Sequence, residues 1–321
     1  MDIETFARIF HDLRAALGRV VVGQEAAIEE VLVALFARGH VLIEGVPGLG
    51  KTLLVRALAT AVPSQFRRIQ FTPDLMPSDV TGSNVFDARE GAFRFVAGPV
   101  FAQILLADEI NRAPAKTQAA LLEAMQERQV TVDGHARVLP RPFLVLATQN
   151  PVESQGTYPL PEAQLDRFLF KVLIGYPDAA AERDILRLHM QGLDASDLGR
   201  SGLGAVVTAD TVQQMHAIVD AVAVDDSVLD YVVRLVHATR SHRAVLLGAS
   251  PRASVALLQA ARVVAAASGR GFVVPDDVKD HAAAVLRHRV SLHPDAELEG
   301  LAADDVVQAI LREAPVPRSV A

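Results

Sequence analysis

The chain has 321 residues, 50% of them hydrophobic and 21% charged, which is too long for one typical core and suits two domains. Its formal net charge of −7 disfavours a protein that binds nucleic acid across a broad basic surface. Cysteine is absent, so disulfides, thiolate metal sites and cysteine catalysis are excluded.

The start of the chain predicts an amphipathic helix rather than a secretion signal. Within residues 1–20 acidic side chains come early, and no basic segment leads into an apolar one. A long apolar tract farther on, 253–269, is interrupted by Gln259 and Arg262, and it falls short of the roughly 20 residues that cross a membrane. We therefore expect a cytoplasmic protein with no membrane insertion.

Up to about residue 175, short strand-like runs alternate with helical ones. The predicted core strands are 40–44, 66–71, 101–108, 143–148 and 168–174, with helices at 52–62 and 116–128 between them. Several of these strands are continuously apolar, as is typical of parallel strands covered on both faces. Residues 1–175 are therefore predicted to form an α/β domain around a doubly wound parallel sheet.

Two segments break this rhythm and predict β-hairpins that project from the sheet. The first spans about 79–99 and the second about 129–140, where an Asp-Gly pair gives a strong turn signal. Phe93 and Phe95 of the first hairpin could contact a protein client, but we expect them to be buried.

Beyond about residue 175 the strand-like runs stop and helical patterns take over. Predicted helices lie at about 179–191, 208–223, 226–243, 250–268, 275–289 and 302–313. The sequence therefore predicts a smaller, all-helical domain over 176–321. The charged run 287–293 within it is expected to be solvated surface.

The first predicted strand runs directly into 45-GVPGLGKT-52, a full match to G-x-x-x-x-G-K-[ST], and a helix follows. Glycines let such a loop aim its backbone N–H groups at phosphates, its lysine reaches the β- and γ-phosphates, and its hydroxyl ligates Mg²⁺. We therefore expect ATP and Mg²⁺ as cofactors. The predicted nucleotide-binding residues of this segment are Gly45, Val46, Pro47, Gly48, Leu49, Gly50, Lys51, Thr52 and Leu53.

A second core strand ends in two adjacent carboxylates, Asp108 and Glu109. Neighbouring like charges repel, and burying either one unpaired is costly. Beside the phosphate loop, Asp108 is expected to hold Mg²⁺ together with Thr52, and Glu109 to polarise the attacking water as general base. The alternative is a solvated pair that caps the next helix.

Three further polar residues lie near predicted strand or helix ends. Asn150 follows the fourth core strand, at the sheet edge where ligands of open α/β sheets bind, although Asn-Pro could also simply start a turn. Arg167 precedes the last core strand and could form a salt bridge with Asp166 or Glu162. Arg252 lies at a predicted helix N-terminus, where a cation is unfavourable unless an anion such as phosphate is near; otherwise it is a solvated arginine.

The phosphate loop, the acidic strand end, Asn150, Arg167 and Arg252 follow one another along the chain as the motifs of AAA+ ATPases do. These motifs are called Walker A, Walker B, sensor 1, arginine finger and sensor 2, and the chain resembles that family. The sequences of residues 107–127, 157–168 and 249–254 are very similar to the corresponding segments of the MoxR family, in the helix-2-insert clade. The resemblance covers nearly the whole chain from about residue 20. Ala115, where the family often has a second proline, is a departure outside the reacting groups.

The resemblance implies an AAA+ core with a helical lid, assembled as a homo-oligomeric ring, usually a hexamer, with nucleotide between subunits. Arg167 would act on the γ-phosphate bound by a neighbouring subunit, and Asn150 would be sensor 1. Arg252 would contact nucleotide in its own subunit. Val22 and Gly23 fall in the segment that lies over the adenine.

MoxR-type proteins are thought to be chaperone-like remodellers that work with von Willebrand factor A domain partners. The implied function is Mg²⁺-dependent ATP hydrolysis that remodels or matures protein clients. The alternatives are a nucleic-acid motor, a metal-chelatase ATPase subunit and a nucleotide-gated switch. Few cations in the second hairpin disfavour the motor, and Glu109 with Arg167 disfavours a mere switch.

Overall fold

The computed structural model of the protein describes residues 1–151, 156–194, 198–199 and 202–317. Within these ranges, no helix is long and apolar enough to cross a membrane.

The strands follow the predicted α/β order in the first half of the chain. They are β1 Val41–Glu44, β2 Phe66–Gln70, β3 Gly82–Asp87, β4 Ala92–Ala97, β5 Ile104–Asp108, β6 Gln129–Val132, β7 His135–Val138, β8 Leu144–Gln149, β9 Phe170–Leu173, β10 Val245–Leu247 and β11 Ser291–Leu292. Five of them form a parallel sheet in the order β2-β5-β8-β1-β9, which confirms the predicted sheet. The carboxyl ends of β1, β5 and β8 therefore lie at one edge.

The helices cover this sheet and build the second half of the chain. They are α1 Ile3–Gly18, α2 Glu25–Phe36, α3 Lys51–Ala61, α4 Pro77–Thr81, α5 Ala115–Glu127, α6 Glu162–Leu165, α7 Ala179–Met190, α8 Ala209–Ala221, α9 Asp226–Ser241, α10 Pro251–Ala267, α11 Pro275–Asp280, α12 Ala282–Leu286, α13 Pro294–Leu298 and α14 Ala303–Glu313. The predicted helix 275–289 is thus divided into α11 and α12 at His281.

The core lies on both faces of the sheet, because successive side chains of a strand point to opposite sides. In β1, Val41 and Ile43 join one buried apolar cluster, whereas Leu42 joins the other. The first cluster continues into the helices of the C-terminal half, and all five residues of β5 are buried. This two-sided burial explains the continuously apolar strand sequences.

Both predicted hairpins are present, with β3 paired to β4 and β6 paired to β7. The expectation that Phe93 is buried is wrong, because its side chain is 73% exposed and contacts Phe86 edge to face. Phe95 is half-buried instead, between Phe101 and the guanidinium of Arg137. Phe93 and Phe95 point to the same face of the ribbon, and only Phe95 has Phe101 and Arg137 packed against it.

The C-terminal half departs from the predictions in two details. It contains a short antiparallel pair, β10 with β11, although no strands were expected there. Strands of three and two residues are too short to give an alternating signal. The run 287–293 is not solvated surface, since His288 and Arg289 are 7% and 8% exposed.

Glu30 on α2 makes the folding stability depend on pH. Burial raises the pKa of Glu30 from its usual value near 4.5 to about 7; Arg287 opposes this shift and Asp304 adds to it. The folded state therefore holds a proton that the unfolded state has lost, so this group's contribution to stability is full below about pH 4.5 and falls as pH rises to about 7.

We expect Glu30→Gln to raise the free energy of unfolding at pH 8 by up to about 3 kcal/mol, and by under about 1 kcal/mol at pH 5. Urea unfolding at the two pH values measures this difference. Glu123→Gln, on the exposed face of α5, is the control and should show no such pH dependence. Equal gains for Glu30→Gln at both pH values would contradict the assignment.

Candidate active site

The loop between β1 and α3 curls because two of its glycines adopt positive φ angles. Gly48 has φ 89° and Gly50 has φ 83°, a region that side chains other than glycine rarely adopt. No atom lies within 4 Å of a Cβ built at either position, so conformation and not space requires glycine there. The loop ends at the N-terminus of α3, where free backbone N–H groups favour an anion.

Lys51 is the first residue of α3 and bends back over the loop. Its ammonium donates a hydrogen bond to the Gly45 carbonyl at 2.5 Å. Burial lowers the pKa of Lys51, while the carboxylates of Asp108, Glu109 and Glu44 act in the opposite direction. The ammonium therefore lies among acidic groups, within the loop that a phosphate chain would enter.

A cavity of about 300 Å³ joins the loop to the acidic strand end. Its lining residues are Pro47, Gly48, Gly50, Lys51, Thr52, Leu53, Asp108, Glu109 and Asn150. They meet because the carboxyl ends of β1, β5 and β8 share one edge of the sheet. The structure thus brings together the predicted loop, the carboxylate pair and the predicted strand-end asparagine.

Asp108 is held by two groups that sequence reasoning missed. Arg68 of β2 donates to its Oδ2 from Nη2 at 2.6 Å and from Nε at 3.2 Å. The hydroxyl of Thr148 donates to its Oδ1 at 2.6 Å. The buried carboxylate therefore has a protein cation beside it and a fixed orientation, which answers how two adjacent acids can end a buried strand.

Glu109 adopts a left-handed backbone conformation, with φ 57° and ψ 49°. Such strain in a residue other than glycine is typical of functional sites. Its Oε2 accepts a hydrogen bond from Gln70 at 2.8 Å and pairs with Arg112 at 3.0 Å. Its side chain makes no capping hydrogen bond to the 3₁₀ turn that follows, unlike in the helix-cap alternative.

The cavity has the oxygen donors that Mg²⁺ prefers, in the Thr52 hydroxyl and the Asp108 carboxylate. Among the described residues, no group of three or more His, Cys, Asp or Glu side chains could hold a metal alone. Mg²⁺ in nucleotide sites is bound by one or two carboxylates together with substrate phosphates and water. The donor set therefore fits a metal that arrives with a triphosphate.

Val22 and Gly23 belong to the turn between α1 and α2, which contacts the residues that follow β9. A Cβ at Gly23 would lie 2.8 Å from the Ala181 Cβ, so this turn packs on the start of α7. Gln24 donates to the Gly175 carbonyl at 2.9 Å. The segment is therefore tied to the residues that follow β9, the neighbour of β1; its contact with adenine stays a prediction.

Arg167 and Arg252 line a different cavity, of about 390 Å³, which also contains Gly39 and His40. Gly39 and His40 come just before β1, at its amino end, whereas the phosphate loop follows its carboxyl end. The four residues of β1 span about 13 Å between these edges. This placement does not fit the expectation that Arg252 contacts nucleotide in its own subunit.

This second cavity is strongly basic. Its arginines are Arg38, Arg128, Arg167, Arg252 and Arg289, and among the described residues Asp166 is the one carboxylate in its lining. The alternative considered for Arg167, a salt bridge with Asp166 or Glu162, is not formed: Asp166 binds Arg289 and Ser250, and Glu162 binds Ser291. The Nε of Arg167 is buried without a hydrogen-bond partner among the described residues, whereas Arg289 is paired with Asp166 and Arg38 with Asp220.

Comparison with known proteins identifies the family and the fold. Residues 40–170 match the family described as "ATPase family associated with various cellular activities (AAA)", and residues 237–310 match the AAA lid domain. The crystal structure of a candidate ATPase from Cytophaga hutchinsonii superposes with a TM-score of 0.89 at 39% identity, covering 98% of this chain and 97% of that one.

Relatives match this chain over most of their length, and two of the three named here carry the MoxR name. Chaperone MoxR1 of Mycobacterium tuberculosis is 42% identical over 99% of this chain and 84% of its own length. Protein MoxR of Methylorubrum extorquens is 33% identical over 94% of this chain and 93% of its own. The uncharacterized protein YeaC of Bacillus subtilis is 48% identical over 94% and 92%. This chain therefore belongs to the MoxR family of AAA+ proteins and is an ATPase.

Proposed function

We propose that the protein hydrolyses Mg²⁺-bound ATP to drive the remodelling or maturation of protein clients. The observation that carries the hydrolysis is the single cavity in which Lys51, Thr52, Asp108, Glu109 and Asn150 meet. Client remodelling is supported by the chaperone name of the mycobacterial relative and by the exposed aromatic side chains of the first hairpin.

In this proposal the loop N–H groups and Lys51 bind the phosphates, and Thr52 and Asp108 hold Mg²⁺. Bound Mg²⁺ supplies positive charge that offsets the charge on the phosphate oxygens. Glu109 accepts a proton from the attacking water, and the amide of Asn150 orients that water or the γ-phosphate.

The observed contacts of Glu109 describe a resting orientation. Gln70 and Arg112 both bind its Oε2, so that oxygen is occupied by two protein donors. An oxygen that already accepts two protein donors is less available to an attacking water. In our proposal the carboxylate leaves these donors to engage water.

Arg167 and Arg252 are proposed to act on the triphosphate of a neighbouring subunit in a homo-oligomeric ring, a hexamer. They lie together in the basic cavity, at the sheet edge opposite the chain's own phosphate loop. Cationic side chains supplied from outside a phosphate site stabilise the transition state strongly. This replaces the own-subunit role expected for Arg252.

Four finer expectations stay predictions. They are a von Willebrand factor A domain protein as partner, the cytoplasmic location, the division into domains near residue 175, and the contact of Val22 and Gly23 with adenine. Co-purification with the products of neighbouring genes is the direct test of the partner.

Glu109→Gln tests the hydrolytic part of the proposal. The amide cannot accept the proton, so we expect ATP to bind normally while phosphate release slows by at least ~10²-fold. ATP binding and phosphate release are measured on the same preparation. Glu127→Gln, exposed at the end of α5, is the matched control and should turn over normally. Normal turnover of Glu109→Gln would refute the assignment of the base.

A further inference from the structure

The segment 166–169, just before the last core strand, is held by hydrogen bonds from Arg289, a buried arginine of the C-terminal half. Arg289 has five N–H groups, and five hydrogen bonds extend from its guanidinium. Its Nε donates to Asp166 Oδ1 at 2.7 Å, and its Nη2 donates to the carbonyls of Asp166 and Phe168 at 3.1 and 2.6 Å. Its Nη1 donates to the carbonyls of Leu169 and Val285 at 3.1 and 2.5 Å.

A second group from the C-terminal half holds the other oxygen of the same carboxylate. The hydroxyl of Ser250 donates to Asp166 Oδ2 at 2.8 Å. It also accepts the backbone N–H of Arg252 at 3.1 Å, as the N-cap of α10. Asp166 therefore connects directly to Arg167 along the chain and, through Ser250, to the backbone of Arg252.

General attachment of the two halves does not require this cluster. Arg287 forms a separate connection, donating to the Lys171 carbonyl at 2.9 Å and to Asp304 at 2.9 Å. A buried ion pair is weak support for stability, because desolvation offsets much of its attraction. Burial indeed lowers the pKa of Arg289, against the effect of Asp166. What the planar guanidinium provides is a fixed geometry for the backbone carbonyls of Asp166, Phe168 and Leu169.

We propose that Arg289, Asp166 and Ser250 are positioning residues that hold Arg167 and Arg252 in a fixed relation, so that both reach a neighbour's nucleotide together. This inference rests on the proposed function. Because Asp166 precedes Arg167 and Ser250 is the N-cap of α10, loss of these contacts displaces both arginines offered to the neighbouring subunit.

The first test compares two conservative substitutions. Arg289→Lys keeps the charge but has three donors for five acceptors, so Arg167 should be misplaced and kcat should fall at least ~10-fold. KM for ATP should stay unchanged, because the phosphate loop of the variant is intact. Arg287→Lys is the matched control and should keep kcat within about 2-fold. Equal behaviour of the two variants would overturn the inference.

The second test uses mixed assemblies, which a merely structural defect would not rescue. Arg289→Lys subunits keep a working phosphate loop, so adding Lys51→Ala subunits, whose arginines are intact, should restore turnover. Adding Arg167→Ala subunits should restore none, since every interface then lacks a correctly placed arginine. Failure of Lys51→Ala subunits to restore turnover would place the defect elsewhere and overturn the inference.

A second variant and two comparisons separate failure of this inference from failure of the proposed function. If Arg289→Lys does not fold, Ser250→Ala removes the second connection to Asp166 and should give the same pattern of rescue. If Glu109→Gln and Arg167→Ala behave as expected but neither Arg289→Lys nor Ser250→Ala loses turnover, only the positioning inference fails. If Arg167→Ala itself keeps normal turnover, the proposed inter-subunit function fails first.

Discussion

Replacing Lys51 with alanine is expected to abolish nucleotide binding or nearly so. Lys51 lies at the N-terminus of α3, and of the described residues that line the phosphate-loop cavity it alone carries an ammonium group. A hydrogen bond to a charged group contributes about 1.5–3 kcal/mol, and the ammonium can reach two phosphates. The affinity for ATP should therefore fall by about 10²-fold or more.

Titration calorimetry with ATP and Mg²⁺ measures this loss directly. Lys116→Ala, exposed near the start of α5, removes the same charge from another surface and should bind as the parent protein does. Normal ATP affinity in Lys51→Ala would undo the assignment of the phosphate loop.

Arg167→Ala should produce the second large effect, on turnover and not on binding. An arginine supplied to a neighbour's γ-phosphate is worth about 10³–10⁵ in rate, so kcat should fall within that range. ATP affinity should be kept, because Arg167 lies outside the cavity of its own phosphate loop.

Arg243→Ala, exposed after α9, serves as the control for loss of one positive charge. Normal kcat in Arg167→Ala would remove this arginine from the reaction. Loss of ATP binding in Arg167→Ala would also contradict the account, since it would mean that the residue supports its own subunit's site.

Short local sequence patterns were enough to predict the phosphate loop, the acidic strand end and the sheet. Gly48 and Gly50 mark the loop, and the apolar run before Asp108 marks a strand buried on both faces. Carboxyl ends of parallel strands share one edge, so the meeting of Lys51 with Asp108 and Glu109 followed from topology.

The contacts of Asp108 were out of reach for a different reason. Arg68 binds Asp108 because β2 lies next to β5, and the order of strands in a sheet is not a local property. An arginine in an edge strand is otherwise typical of solvated surface.

The contacts of Arg289 and Ser250 with Asp166 could not be predicted, because these residues are far apart in the chain. Arg289 and Asp166 are 123 residues apart, and the charged run around Arg289 has the composition of a solvated helix end. Its acceptors are mainly backbone carbonyls of the segment 166–169. Every residue has such a carbonyl, so the sequence does not indicate which ones are bound. The neighbours of Arg252 were out of reach for the same reason, since they are set by packing.

The most direct test of the account mixes Arg167→Ala subunits with Lys51→Ala subunits. Each variant alone should be nearly inactive, because Arg167→Ala lacks the arginine and Lys51→Ala does not bind ATP. Mixed, some interfaces combine the intact Lys51 of one subunit with the intact Arg167 of the next, so ATP turnover should recover. If the mixture stays as inactive as its parts, the ATP site is not shared between subunits.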